Sequence, residues 1–251
     1  GLFPDIVAGH SLGEYAACVA AGIMTFEESL KAVSARGREM ASIKLDDPGR
    51  MAGIGASVEA VEEVLAEVGG YVVAVNKNCP TQTVIAGESL AVEVATEAFR
   101  SRGMTVYEIP VSHAFHSRIV APASAPLRGV LATMDIRAPR RPITTNVTSR
   151  YYPTGPGARE QILDTLAKQV AAPVEWTAQI ERMYADGARV FVECGPKRAL
   201  TGFVAAILKR RPHRSLYTNH PKRGGVKSIQ DTLSGLLGLG FPVRGRPTPG
   251  M

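Results

Sequence analysis

Between Met51 and Val111 the spacing of apolar residues switches repeatedly between two periods, and few folds accommodate that order. MAGIGA reads as a strand, and SVEAVEEVLAEV carries its valines and leucine at helical spacing behind a serine cap. YVVAVNKN and QTVIAGE are short runs rich in β-branched residues, SLAVEVATEAFRSRG is helical again, and MTVYEIPV closes as a strand. Strand, helix, strand, strand, helix, strand is the order of a ferredoxin-like unit, so a small βαββαβ domain is expected over residues 49–112. On either side, strand-like segments (DIVAG, ITTNVTS, RVFVECG) alternate with helical ones, as in a parallel sheet covered on both faces. The expected fold is therefore α/β. Residues 1–48 and 113–240 form a hydrolase-like parallel-sheet core, with the small domain inserted and the chain re-entering at VSHAFHS. The Gly- and Pro-rich stretch 241–251 reads as a linker-like tail.

Composition narrows the class. Of 251 residues, 45% are hydrophobic and 21% charged, as in an ordinary globular protein of cytoplasmic type. No apolar run reaches the length of a membrane span and no signal peptide opens the chain, so no membrane role is expected. Cys18, Cys79 and Cys194 lack metal-ligand spacing and suggest neither a disulfide framework nor a metal site. The net charge of +6 is concentrated late in the chain, at Lys209-Arg210-Arg211, Arg214, Lys222-Arg223 and Lys227. Apart from Tyr217 no aromatic residue, and no recognition motif, is interleaved with it, which argues against nucleic acid; a solvated tail or a docking surface for an acidic protein remains.

The segment VAGHSLGEYA sets Ser11 at a strand-to-helix junction, between the apolar PDIVAG and the alanine-rich LGEYAACVAAG. Gly9 and Gly13 complete G-x-S-x-G, in which missing Cβ atoms let strand and helix approach and hold the serine on a sharp turn beside unpaired helix N–H groups. The pattern fits both a nucleophile elbow and a plain glycine-flanked turn. A serine nucleophile needs a base, and His116, with His113 three residues before it, lies where the chain re-enters the core. An α/β-hydrolase of esterase or thioesterase type would instead use Ser11, then Asp186, then His213 or His220.

Taken together, G-H-S-L-G-E at Gly9–Glu14 and H-A-F-H-S at His113–Ser117 resemble the malonyl-CoA:acyl-carrier-protein transacylase family, in particular the acyltransferase domains of polyketide synthases. R-G-x-x-M from Arg36, NCPTQTVIAG, TNVTS around Asn146, Q-x-x-x-P-V-x-W from Gln169 to Trp176, and VECGP follow in the family's order. The resemblance implies loading of malonyl from malonyl-CoA onto an acyl carrier protein through an acyl-serine, in a polyketide or related fatty-acid synthase. Ser11 is the implied nucleophile and His116 its base, oriented by a main-chain carbonyl near Gln169, with the Leu12 N–H as an oxyanion donor. Arg36 would grip the malonyl carboxylate with its planar fork, Phe115 would exclude an α-methyl branch, and His10, Gln169 and Asn146 would line the substrate pocket. No bound metal or cofactor is implied. Malonyl-CoA is substrate, the acceptor thiol is the carrier's phosphopantetheine, and neighbouring synthase domains such as a ketosynthase are the expected partners. Family members also carry an upstream segment with a G-Q-G turn whose glutamine N–H is a second oxyanion donor, expected ahead of Gly1.

Overall fold

A computed structural model describes residues 2–242, so the stretch from 243 onward, most of the expected linker-like tail, lies outside the described residues. The protein is α/β, and its described residues divide into two compact units, Ile6–Arg182 and one formed by residues 183–242 together with residues 2–5.

The larger unit begins with the segment leading to Ser11, then α1 (Gly13–Ala21) and α2 (Phe26–Ala41). Thr25 starts α2 with a capping box: its hydroxyl accepts from the Glu28 N–H while Glu28 accepts from the Thr25 N–H. Next come β1 (Arg50–Ile54), α3 (Val58–Leu65), β2 (Val72–Cys79), β3 (Gln82–Gly87), α4 (Ser89–Ser101) and β4 (Val106–Ile109). The four strands form one antiparallel sheet in the order β2-β3-β1-β4. Alternation divides it: Ala52, Ile54, Ala74 and Ile85 face a core with Val61, Val92 and Phe99 of α3 and α4. Met51, Val75, Val84 and Ala86 face Ala114, Phe115 and Ile119 of the returning chain. Burial on both faces explains the unbroken apolar stretches Val72–Val75 of β2 and Val84–Ala86 of β3.

The chain continues through a 3-10 turn (Arg118–Ala123) into α5 (Ser124–Ala132), α6 (Ala158–Gln169) and α7 (Trp176–Ala185). Tyr15, Cys18, Ile23, Leu127, Leu131, Ile162 and Leu166 form the main core around α1, α2, α5 and α6. In the other unit β5 (Val190–Glu193) and β6 (Arg214–Tyr217) pair in parallel, with α8 (Ala199–Ile207) and α9 (Gly225–Gly238) completing it.

The parallel sheet expected from DIVAG and ITTNVTS is reduced, among the described residues of the larger unit, to a bridge between Val7 and Ile143 beside an antiparallel bridge from Thr144 to Tyr151. The reason is local. Val7 N–H bonds the Pro142 carbonyl and Thr144 N–H bonds the Val7 carbonyl, but Pro142 has no N–H to extend the ladder, and the other segment turns at Gly9.

Candidate active site

The elbow is built from backbone outward. A Cβ on Gly9 would overlap the main chain of Gly13 and Glu14, whereas one on Gly13 would meet open space, so the first glycine alone is required by close approach. Ser11 then adopts φ +53°, a left-handed conformation that costs a non-glycine residue about 1–3 kcal/mol unless its surroundings impose it. Two fully buried amides impose it. Asn146 Oδ1 accepts from the Ser11 N–H at 2.6 Å, and Asn146 Nδ2 donates to the Gly9 carbonyl at 2.5 Å. Gln169 Nε2 donates to the Ser11 carbonyl at 2.7 Å. These bonds decide which N–H groups remain free. That of Ser11 is taken by Asn146, that of Gly13 by the His10 carbonyl, and that of Glu14 by the Ser11 carbonyl. Among the described residues the Leu12 N–H has no backbone partner and points to no side-chain acceptor, which fits the place expected for an oxyanion donor.

His116 is 3% exposed, takes φ +61°, and is fixed by its N–H on the Val170 carbonyl. Its Nε2 lies 2.6 Å from Ser11 Oγ. Its Nδ1 lies 3.0 Å from the Gln169 carbonyl and 3.1 Å from that of Ala172. Both carbonyls only accept, so Nδ1 carries the proton and Nε2 presents a lone pair to the serine hydroxyl. Burial first, and the nearby Arg36 charge second, push the imidazole down to about 4, leaving it neutral at pH 7. His116, rather than His213 or His220, is thus the histidine bonded to Ser11, and the Ala172 carbonyl is a second orienting group the sequence did not reveal.

Arg36 projects from α2 into the interior, 7% exposed. Its Nε has no partner and, among the described residues, no carboxylate forms an ion pair with it. Burial lowers its pKa, while the proximity of Tyr15 and Glu14 works in the other direction. A desolvated guanidinium with unfilled donor capacity is suited to a carboxylate that arrives from outside. Phe115 is half-buried against both the main core and the inner face of the small sheet, its ring 6.2 Å from that of His113. His10 reaches the small lobe, its Nε2 2.7 Å from Asn78 Oδ1, and its ring stands edge-on to Trp176 at 5.4 Å. Asn78 Nδ2 is already given to Gln82, so its oxygen accepts and His10 Nε2 carries hydrogen.

Sequence reasoning assigned no role to Glu14, Asn78 or Trp176, which stand there only as letters of longer motifs, and did not single out Tyr152. An acidic residue in a first helical turn is ordinarily a solvated partner of the helix dipole. Glu14 is instead fully buried, and the signal available was its place in an otherwise apolar helix, GEYAACVAA.

Comparison with known proteins identifies the family of the chain. The family model described as "Acyl transferase domain" matches residues 1–223. The chain is 35% identical over 215 residues to the malonyl CoA-acyl carrier protein transacylase of Bacillus subtilis, covering 84% of this chain and 67% of that protein. It is 36% identical over 229 residues to the polyketide biosynthesis protein ThaF of Burkholderia thailandensis, covering 90% of this chain and 19% of that one. Among solved structures, the acyltransferase domain from the second module of the salinomycin polyketide synthase superposes with a TM-score of 0.83 at 30% identity, over 94% of this chain and 54% of that one. The chain thus spans about two thirds of the transacylase and about half of the synthase domain.

Proposed function

Since the chain belongs to the acyl transferase domain family, we propose that it moves malonyl from malonyl-CoA to the phosphopantetheine thiol of an acyl carrier protein, through a malonyl ester on Ser11. The observation that carries the choice of substrate is the buried Arg36, short of a carboxylate partner and close enough to depress the His116 pKa.

In the first half-reaction Ser11 Oγ attacks the thioester carbonyl as its proton passes to His116 Nε2. Negative charge gathers on the carbonyl oxygen against the Leu12 N–H. The C–S bond breaks and CoA leaves as a thiol, protonated from His116. In the second half the carrier's thiol gives its proton to His116 and its sulfur attacks the ester; the tetrahedral intermediate then expels Ser11 Oγ, which recovers the proton. Every proton and leaving-group role in this scheme falls to a side chain or a substrate. The Phe115 ring disfavours an α-methyl branch, a preference of roughly 1–3 kcal/mol.

In the same reading, residues 1–48 and 113–240 belong to a hydrolase-like core and 49–112 to a ferredoxin-like insert, supported by the strand order β2-β3-β1-β4 of the small sheet. The setting is a cytoplasmic fatty-acid or polyketide synthase, with neighbouring domains such as a ketosynthase as partners.

Incubation with malonyl-CoA followed by intact-mass and peptide analysis tests the proposal. A malonyl adduct is expected on Ser11, absent from Ser11→Ala and His116→Ala and retained in His213→Ala and His220→Ala. Arg36→Ala should lose malonyl transfer while keeping acetyl transfer. Equal loss of both acyl groups would remove Arg36 from carboxylate recognition, and steady-state kinetics without an acyl-enzyme would remove the mechanism.

A further inference from the structure

Glu14 has no role in the scheme above, yet it is a fully buried acid one turn from the nucleophile. Its Oε1 accepts from the Tyr152 hydroxyl at 2.8 Å and from the Asn146 N–H at 3.1 Å. Asn146 is the residue whose side chain spans the elbow, from the Gly9 carbonyl to the Ser11 N–H. One carboxylate oxygen therefore fixes the main chain of the bridging residue, and Tyr152 fixes the carboxylate. Asn146 alone would not suffice, because a side-chain bridge places the elbow only as well as its own backbone is placed. Ser11 in a left-handed conformation depends on that placement to keep Oγ at 2.6 Å from the imidazole.

We propose that Glu14 is a positioning residue for acyl transfer: through the Asn146 backbone it holds the bridge that keeps Ser11 in its strained conformation and aimed at His116. The proposal rests on Ser11 being the nucleophile of the preceding section. Burial raises the carboxyl to about 7, with Tyr152, Asn146, Gln169 and Arg36 opposing the rise, so near neutrality much of the population carries a proton. A glutamine, neutral and with the same Oε1 acceptor, is accordingly the conservative replacement.

The test uses a fluorophosphonate, which labels an activated serine whatever its acyl substrate, beside single-turnover malonylation. For Glu14→Ala the maximal labelling rate should fall at least about tenfold with little change in the concentration giving half that rate, since displacement of an aligned group costs rate more than binding. Glu14→Gln should stay within about threefold of the parent. Tyr152→Phe, which removes one bond at nearly constant volume, should fall between them and serves as the decisive variant should Glu14→Ala not fold. Rates are compared per folded molecule, from near-UV circular dichroism, so that loss of stability alone does not count. Equal rates for Tyr152→Phe and the parent, or a Glu14→Gln rate as low as that of Glu14→Ala, would overturn the proposal. A parent protein labelled on Ser11 by the fluorophosphonate but not by malonyl-CoA would defeat the substrate assignment and leave the positioning role to be decided by the variants.

Discussion

Ser11 and His116 are both left-handed, and each is bonded to the other. Glycine takes that backbone without the penalty a Cβ brings, so Ser11→Gly should exceed Ser11→Ala in unfolding free energy by about 1 kcal/mol in urea melts, both being inactive. Equal stabilities would mean that the turn carries no strain. A second expectation concerns Arg36, whose charge is one cause of the low His116 pKa. In Arg36→Ala the acid limb of the pH profile for fluorophosphonate labelling should move up from about 4 toward 6.5; an unmoved limb would show that burial acts alone. His116 and Glu14 also pull stability in opposite directions. With His116 at about 4 folded and 6.5 otherwise, the unfolded chain binds more protons between those values, so this group makes stability rise with pH there. With Glu14 at about 7 folded and 4.5 otherwise, the native state keeps a proton the unfolded chain releases, so stability falls as pH climbs through that window. Glu14→Gln should therefore gain on the parent as pH goes from 4.5 to 7, by up to about 3 kcal/mol, and parallel curves would refute the assigned shift. Ser11 and His116 were legible as a bonded pair because each stands in a short pattern with a chemical reason for its residue type, whereas Arg36 was reached only through the family resemblance. Glu14 was not, because its burial depends on Tyr152 and Asn146, more than a hundred residues away in sequence.

Among elements, the small lobe was the easiest to read. Its strands alternate or run apolar for reasons of burial, and its helices begin at a serine cap or against a carboxylate, as where Asp47 accepts from the Ser89 N–H at 2.7 Å. The segment before the elbow was harder: an apolar run cannot announce that its partner lacks an N–H, and Pro142 cuts the ladder to a bridge. The two glycines of the elbow, equivalent as letters, differ in space. Gly9→Ala should destabilise by roughly 1–3 kcal/mol or more and abolish labelling of Ser11, since its Cβ would have to displace the start of α1. Gly13→Ala should fold as well as the parent, because that Cβ meets nothing and alanine favours the helix. Thermal melts of both variants decide the matter; equal losses would contradict the packing at Gly9.

For the molecule as a whole, the proposed carrier must deliver its thiol to Ser11, and the charges near the returning chain bear on that step. Arg102 is committed to Glu67 at 2.6 Å, whereas Arg118 lies over the Tyr71 ring, 3.7 Å from Glu88, with its side chain 68% exposed. Arg118→Glu should slow transfer from malonyl-Ser11 to an acidic carrier several-fold while leaving malonylation unchanged, and the deficit should shrink with added salt. A deficit equal in both half-reactions would place the effect at the pocket instead. The chain from Gln169 to Thr177 serves two masters. On one side the carbonyls of Gln169, Val170 and Ala172 hold His116. On the other, Val174 exchanges backbone hydrogen bonds with Val75 and Lys77 of β2, Thr177 Oγ1 donates to the Lys77 carbonyl, and Glu175 pairs with Lys77 at 3.0 Å. One stretch of backbone thereby ties the His116 imidazole to β2, so the aim of the histidine and the position of the small sheet are set together.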